Sequence, residues 1–219
     1  MNTETLTDQL KALNGQIKDQ APAEIFNAFA EQQRVLDATA ERSEFVQAGD
    51  TLKAFTLTDA TETPVSLDDL LAQGPTVFVF YRGAWCPYCN LTLRTYQQQL
   101  LPELDKLGAR LVAVSPQTPD GSLSMKEKNE LAFPVLSDIG NELARKLGIT
   151  FTVSESDREV SQAVGNDLGE VNGTGSWELP HPTVLVVGTD GVVAFADVRP
   201  DYTTRTEPAA VLAAVRGLR

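Results

Sequence analysis

The sequence predicts an α/β fold, a central mixed sheet flanked by helices, with an N-terminal helical extension. Three observations lead there. From Gly49 onward, short β-rich runs alternate with segments of helical period. The run at 76–81 (TVFVFY) is apolar on both faces, as a strand covered from both sides must be. Near the end, runs at 183–187 (TVLVV) and 192–196 are joined through Gly188-Thr189-Asp190-Gly191, a strong hairpin signal.

The elements follow in order. Leu6, Leu10, Leu13 and Ile17 recur at spacings of three and four, and Pro22 opens a second such run with Ile25, Phe26, Phe29 and Leu36. Residues 1–48 therefore read as two amphipathic helices laid on a neighbouring surface, either this chain's own or that of a second copy in a homodimer. Residues 49–219 form the main domain. A strand is expected at 52–57 and a turn at 58–64. Ser66 caps a short helix through Leu71, and Gly74-Pro75 ends it before the strand at 76–81. A long helical pattern then runs through Leu91, Tyr96, Leu100, Leu104 and Leu107, with Pro102 expected to kink it by removing a donor. Next come a buried strand at 110–115, a helix at 120–132, a short strand at 133–136 and a helix at 141–147 ended by Gly148. Residues 154–178 carry little periodicity and read as one long loop. The C-terminal stretch 207–218 is an amphipathic helix.

Composition narrows the function classes. Of 219 residues, 42% are hydrophobic and 22% charged, which excludes disorder for the bulk of the chain. A net charge of −12 without a basic cluster argues against nucleic-acid binding. No uncharged apolar stretch reaches the roughly 18–20 residues that cross a bilayer. The opening MNTETLTDQLKALNGQIKDQ lacks the basic and apolar regions of a secretory signal, so a cytoplasmic protein is expected.

Both cysteines fall in one pentapeptide, Trp85-Cys86-Pro87-Tyr88-Cys89. A disulfide between them closes almost no loop and contributes little as a staple. Redox chemistry or half of a metal site remains. The motif stands where a central strand passes into a helix, and there free N–H groups and the positive end of the helix dipole favour a thiolate. Two intervening residues let the sulfurs meet, so the pair can store two electrons as a disulfide. Pro87 suits a helix start, and Trp85 offers an apolar wall. About ninety residues on stands His181-Pro182-Thr183, at the lip of the TVLVV strand. A cis bond before Pro182 would let the backbone approach the cysteines. With one histidine in the chain, a four-ligand zinc site would need carboxylates or water as well. No metal and no other cofactor is expected.

Tyr81-Arg82-Gly83-Ala84-Trp85-Cys86-Pro87-Tyr88-Cys89 resembles the active-site segment of the thioredoxin-like superfamily, in its peroxiredoxin (alkyl hydroperoxide reductase/thiol-specific antioxidant) branch. Phe133-Pro134-Val135-Leu136-Ser137-Asp138 is similar to the middle of those proteins, and His181 through Gly191 to their site-closing strand and hairpin. The resemblance covers residues 49–218. It implies a thiol-dependent peroxidase that reduces hydrogen peroxide or organic hydroperoxides through Cys86 and Cys89. The disulfide would be recycled by a thioredoxin-type or low-molecular-weight thiol. The family pattern Pro-x-x-x-Thr-x-x-Cys places Arg82, Cys86 and Cys89 at its Pro, Thr and Cys positions, and only the last agrees. That register makes Cys89 the peroxidatic thiolate and Cys86 the resolving thiol. The family's arginine beside the cysteine falls to Arg82, Arg199 or Arg205. The Cys-x-x-Cys also resembles that of thioredoxins and glutaredoxins. In that register Cys86 is the nucleophile of a general thiol–disulfide oxidoreductase, with His181 close to a sulfur. A metal-binding or redox-sensing module is the non-enzymatic alternative.

Overall fold

The computed structural model describes residues 4–218, so the outermost ends of the two expected segments, 1–3 and 219, lie outside the described residues. Helices α1 (Leu6–Gln20) and α2 (Ala23–Thr39) come first. There follow β1 (Thr56–Asp59), β2 (Pro64–Ser66), α3 (Leu67–Leu71), β3 (Thr76–Phe80), α4 (Pro87–Thr95), α5 (Leu101–Lys106), β4 (Arg110–Ser115), α6 (Pro119–Lys128) and β5 (Val135–Ser137). The chain continues through α7 (Glu142–Lys146), β6 (Thr150–Thr152), α8 (Glu155–Ala163), α9 (Leu168–Val171), β7 (Glu178–Pro180), β8 (Thr183–Val187), β9 (Val193–Val198) and α10 (Pro208–Arg216).

Seven strands form one sheet in the order β2-β1-β5-β4-β3-β8-β9, while β6 and β7 pair separately. β3 runs parallel to β4, and β4 to β5; β1 and β8 join antiparallel, so the sheet is mixed. Alternation along β3 divides the core in two. Val77 and Val79 face a layer built on Leu93, Tyr96, Leu100, Leu104 and Val211, and Phe78 and Phe80 face Leu67, Leu70, Leu143 and Ile149. Every residue of β3 is buried, as its unbroken hydrophobicity requires.

The N-terminal stripe is covered by this chain itself. Leu6 and Leu10 are 0% and 3% exposed within the first core layer, and each such burial stabilises by about 1.5–3 kcal/mol. The amides of Leu6 and Thr7 donate to the Glu207 carboxylate at 3.2 and 2.8 Å. One carboxylate thus sits at the starts of both α1 and α10, where it complements two helix dipoles. By contrast, α2 buries fully only Gln32 and leaves Ile25, Phe26 and Phe29 half-buried.

Three local expectations are corrected. The strand expected at 52–57 begins at Thr56, because Thr51 and Leu52 are taken up by the turn around Gly191 and Val192. Pro102 falls in the first turn of α5, where a missing N–H costs nothing, and the ladder adjusts one turn earlier by a π-helical segment at Tyr96–Leu100. The expected loop at 154–178 holds α8 and α9, whose amides are capped by Ser154 and Asp167.

Candidate active site

Strand β3 delivers the chain to a tight segment ahead of α4. Gly83 has φ +153°, and a Cβ there would stand 2.3 Å from Trp85 Nε1, so only glycine fits. The segment is pinned by amide side chains. Ala84 N–H donates to Gln117 Oε1 at 2.6 Å, and Asn90 Nδ2 donates to the carbonyls of Ala84 and Cys86, each at 2.8 Å. Asn129 Nδ2 in turn donates to Asn90 Oδ1 at 2.9 Å. None of these amides belongs to the motif, and no sequence signal marked them.

Cys86 is the N-cap of α4, Pro87 opens the helix, and Cys89 lies in its first turn. Both thiols are free and buried, 1% and 0% exposed. Their environments differ. Burial disfavours the charged form of Cys89, but the Cys86 thiol donates to its sulfur, Arg205 lies alongside, and the Arg82 backbone N–H also points at it; together these hold Cys89 down to about 5. Cys86 is pushed the other way, first by burial and then by hydrogen bonding to, and repulsion from, the Cys89 charge. Two sulfurs separated by two intervening residues therefore hold opposite protonation states at neutral pH.

The cation at the sulfur comes from far along the chain. Arg205 Nη2 donates to Cys89 Sγ at 3.2 Å. Its other arm is held by the carbonyls of Tyr202 and Thr204, which aim the guanidinium. Arg199 is instead paired with Asp197 at 2.7 Å. Arg82 is buried between aromatic rings, 3.9 Å from the Tyr202 centroid and 4.9 Å from that of Trp85. Trp85 holds Arg82 and also packs against the buried cluster of Val153, Leu168 and Leu179.

His181 is buried with its imidazole stacked on Phe151 at 4.7 Å and near Phe45 at 5.6 Å. Burial, then the charges of Arg82 and Arg42, lower its pKa to about 4, so it is neutral. The cations acting on the sulfurs are Arg82 and Arg205. The bond before Pro182 is trans, as are all peptide bonds among the described residues, and the expected cis approach is not present. Pro182 sits buried at the start of β8, where its carbonyl accepts from Arg199 N–H at 2.8 Å.

A cavity of about 280 Å³ lies between α1, α2 and the motif. Ile25, Phe26 and Phe29 line one side, and Arg82, Cys86, Tyr88 and Tyr202 the other. The Tyr88 hydroxyl donates to Asn14 Oδ1 at 2.6 Å, and that of Tyr202 to the Phe29 carbonyl at 3.0 Å, so both helices are tied to the site. Among the described residues no cluster of three or more His, Cys, Asp or Glu converges as a metal site.

The profile of the AhpC/TSA family matches residues 48–196. The chain belongs to the AhpC/TSA family. Peroxiredoxin Q, chloroplastic, of Sedum lineare is 30% identical over 104 residues, 48% of this chain and 55% of that protein. Peroxiredoxin Bcp of Escherichia coli (strain K12) is 29% identical over 104 residues, 48% of this chain and 65% of that protein. Among solved structures, peroxidoxin BcpB from Mycobacterium tuberculosis superposes with a TM-score of 0.63 at 24% identity, covering 80% of this chain and 99% of that one; the likeness is one of fold. Within this AhpC/TSA chain, α1 and α2 precede the matched residues, and Arg205 lies beyond them. No helix among the described residues is long and apolar enough to cross a membrane.

Proposed function

We propose that the protein is a thiol-dependent peroxidase of hydrogen peroxide and organic hydroperoxides, with Cys89 the attacking thiolate and Cys86 the resolving thiol. The observation that carries this assignment is the Arg205–Cys89 contact at 3.2 Å, with the Cys86 thiol donating to the same sulfur. Cys89 attacks one peroxide oxygen, the O–O bond breaks, and the other oxygen leaves as alkoxide or hydroxide and takes up a proton. Arg205 stabilises the charge that moves from sulfur to the leaving oxygen. Cys86 then attacks the sulfenic sulfur, expelling water and forming the disulfide. Two thiol electrons from an external reductant restore the pair.

In this reading Cys86, standing at the family's Thr position, supplies the hydrogen bond and later the resolving sulfur. Arg82 is a positioning residue, held by Trp85 and Tyr202, that adds positive potential over both sulfurs. His181 and Pro182 seat the start of β8 as neutral packing groups. Residues 49–219 act as the thioredoxin-like domain, 1–48 as an extension over its site, and the cytoplasm as the compartment that keeps the thiols reduced. The oxidoreductase alternative needs Cys86 as thiolate, and its environment opposes that state.

The test is rapid mixing of reduced protein with peroxide, beside Cys86→Ser and Cys89→Ser, with mass mapping of the sulfenic acid. Fast oxidation at Cys89 that survives Cys86→Ser is expected. A rate no faster than a free thiol's overturns the assignment.

A further inference from the structure

The two sulfurs are not equally presented. Cys86 lines the cavity beneath α1 and α2, whereas Cys89 lies behind it, turned to Arg205. We infer that the oxidised pair is reduced at Cys86, by a small thiol with an apolar body that seats in the cavity walled by Ile25, Phe26 and Phe29. The inference rests on the peroxidase reading for its disulfide and adds where and by what class of molecule that disulfide is opened.

Two independent arguments meet on Cys86. The first is access, since it is the sulfur that a cavity ligand touches. The second is the leaving group, because exchange runs fastest when the expelled sulfur is the more stable thiolate. Arg205 and the helix start hold that state on Cys89. The reductant thiolate attacks Cys86 Sγ, the Cys86–Cys89 bond breaks, and its electron pair leaves on Cys89. The mixed disulfide on Cys86 is then cleaved by the second thiol of a dithiol reductant. Cys86 leaves with a proton, and the reductant departs as its own disulfide.

The size and chemistry of the cavity choose the class. Its volume of about 280 Å³ lies at the lower edge of small-ligand sites, roughly 300–1,000 Å³. Cys86 is 1% exposed and lines this cavity, so an attacking sulfur must enter between α1, α2 and the motif to come within the roughly 2 Å of an S–S bond, which favours a small reductant over a protein surface. The walls are aliphatic and aromatic. Arg82, beside the entering sulfur, favours a thiolate there and a reductant without added positive charge.

The test starts from full-length protein oxidised by diamide, so that it does not depend on the peroxide step. Stopped-flow tryptophan fluorescence follows reduction by dihydrolipoamide, glutathione or reduced thioredoxin, and acid quench with mass mapping locates the mixed disulfide. Expected are a rate per thiolate at least tenfold higher for dihydrolipoamide than for glutathione, and an adduct on Cys86. Phe26→Ala/Phe29→Ala should slow dihydrolipoamide about tenfold through a higher KM, and Phe29→Leu, which keeps apolar bulk, should restore most of it. Fastest reduction by thioredoxin, an adduct on Cys89, or an unchanged rate in the double variant each overturn the inference. Failure of the peroxidase reading would show separately, as slow oxidation of the reduced protein by peroxide.

Discussion

Arg205 and Cys89 are 116 positions apart in the chain, yet the guanidinium Nη2 of one stands 3.2 Å from the sulfur of the other. The contact joins the turn before α10 to the first turn of α4. Charge from that turn therefore reaches a thiolate that burial alone would suppress.

Replacing Arg205 with Met removes both the hydrogen bond and the charge. The second-order rate with peroxide at pH 7 should fall about 10–100-fold, with the Cys89 thiolate absorbance titrating at higher pH. Arg205→Lys keeps the charge, loses the carbonyl bonds to Tyr202 and Thr204, and should fall between. Rapid mixing and ultraviolet titration measure both.

The peroxide reaction should be flat above about pH 7 and fall as pH drops through about 5, because the thiolate is the reactive form and its pKa is lowered. Cys86→Ser keeps a hydroxyl donor to that sulfur and should preserve the profile, while Cys86→Ala removes the donor and moves the fall to higher pH. Identical profiles for the two variants would refute a donor role for Cys86.

His181 is the one histidine of the chain, neutral in the fold with its pKa down to about 4. The unfolded chain takes up the proton near pH 6.5 and the native one does not, so this contribution is present above pH 6.5 and is lost as pH falls toward 4. Urea unfolding should report up to about 3 kcal/mol lost across that window. In His181→Phe, which retains the stacking on Phe151, this share of the acid sensitivity should be absent.

Gly83→Ala puts a methyl 2.3 Å from Trp85 Nε1 in a backbone region that alanine avoids. A loss of about 1–3 kcal/mol in denaturant unfolding is expected. Because Trp85 also holds Arg82, the emission of the native state should shift as well. Unchanged stability would mean that the segment relaxes freely.

Much of the architecture was legible because it depends on local period. The run at 76–80 became the fully buried β3, and the Gly188–Gly191 turn joined β8 and β9 as its composition demanded. The helices between 154 and 178 were missed because they are short: α8 buries fully only Ser161, and α9 is a single turn with Leu168 facing inward. An apolar period is faint there, although Ser154 three residues before Asp157 was a readable cap. In the site, the cysteine pair at a helix start was legible, whereas Gln117, Asn90 and Asn129 were not. An amide that pins a loop through hydrogen bonds looks in sequence like any surface amide.

The sequence by itself determined the alternation of strands and helices, the redox pair at the junction of β3 and α4, and the family to which that motif points. Only the tertiary structure decided which arginine faces Cys89, that His181 packs as a neutral ring, and that α1 and α2 roof the cavity at Cys86. The physical reason is one of range. Period and capping are settled by neighbours within a few residues, but a charge shifts a thiol only within several ångströms of space, and the fold alone brings residues 14, 29, 89 and 205 to one site.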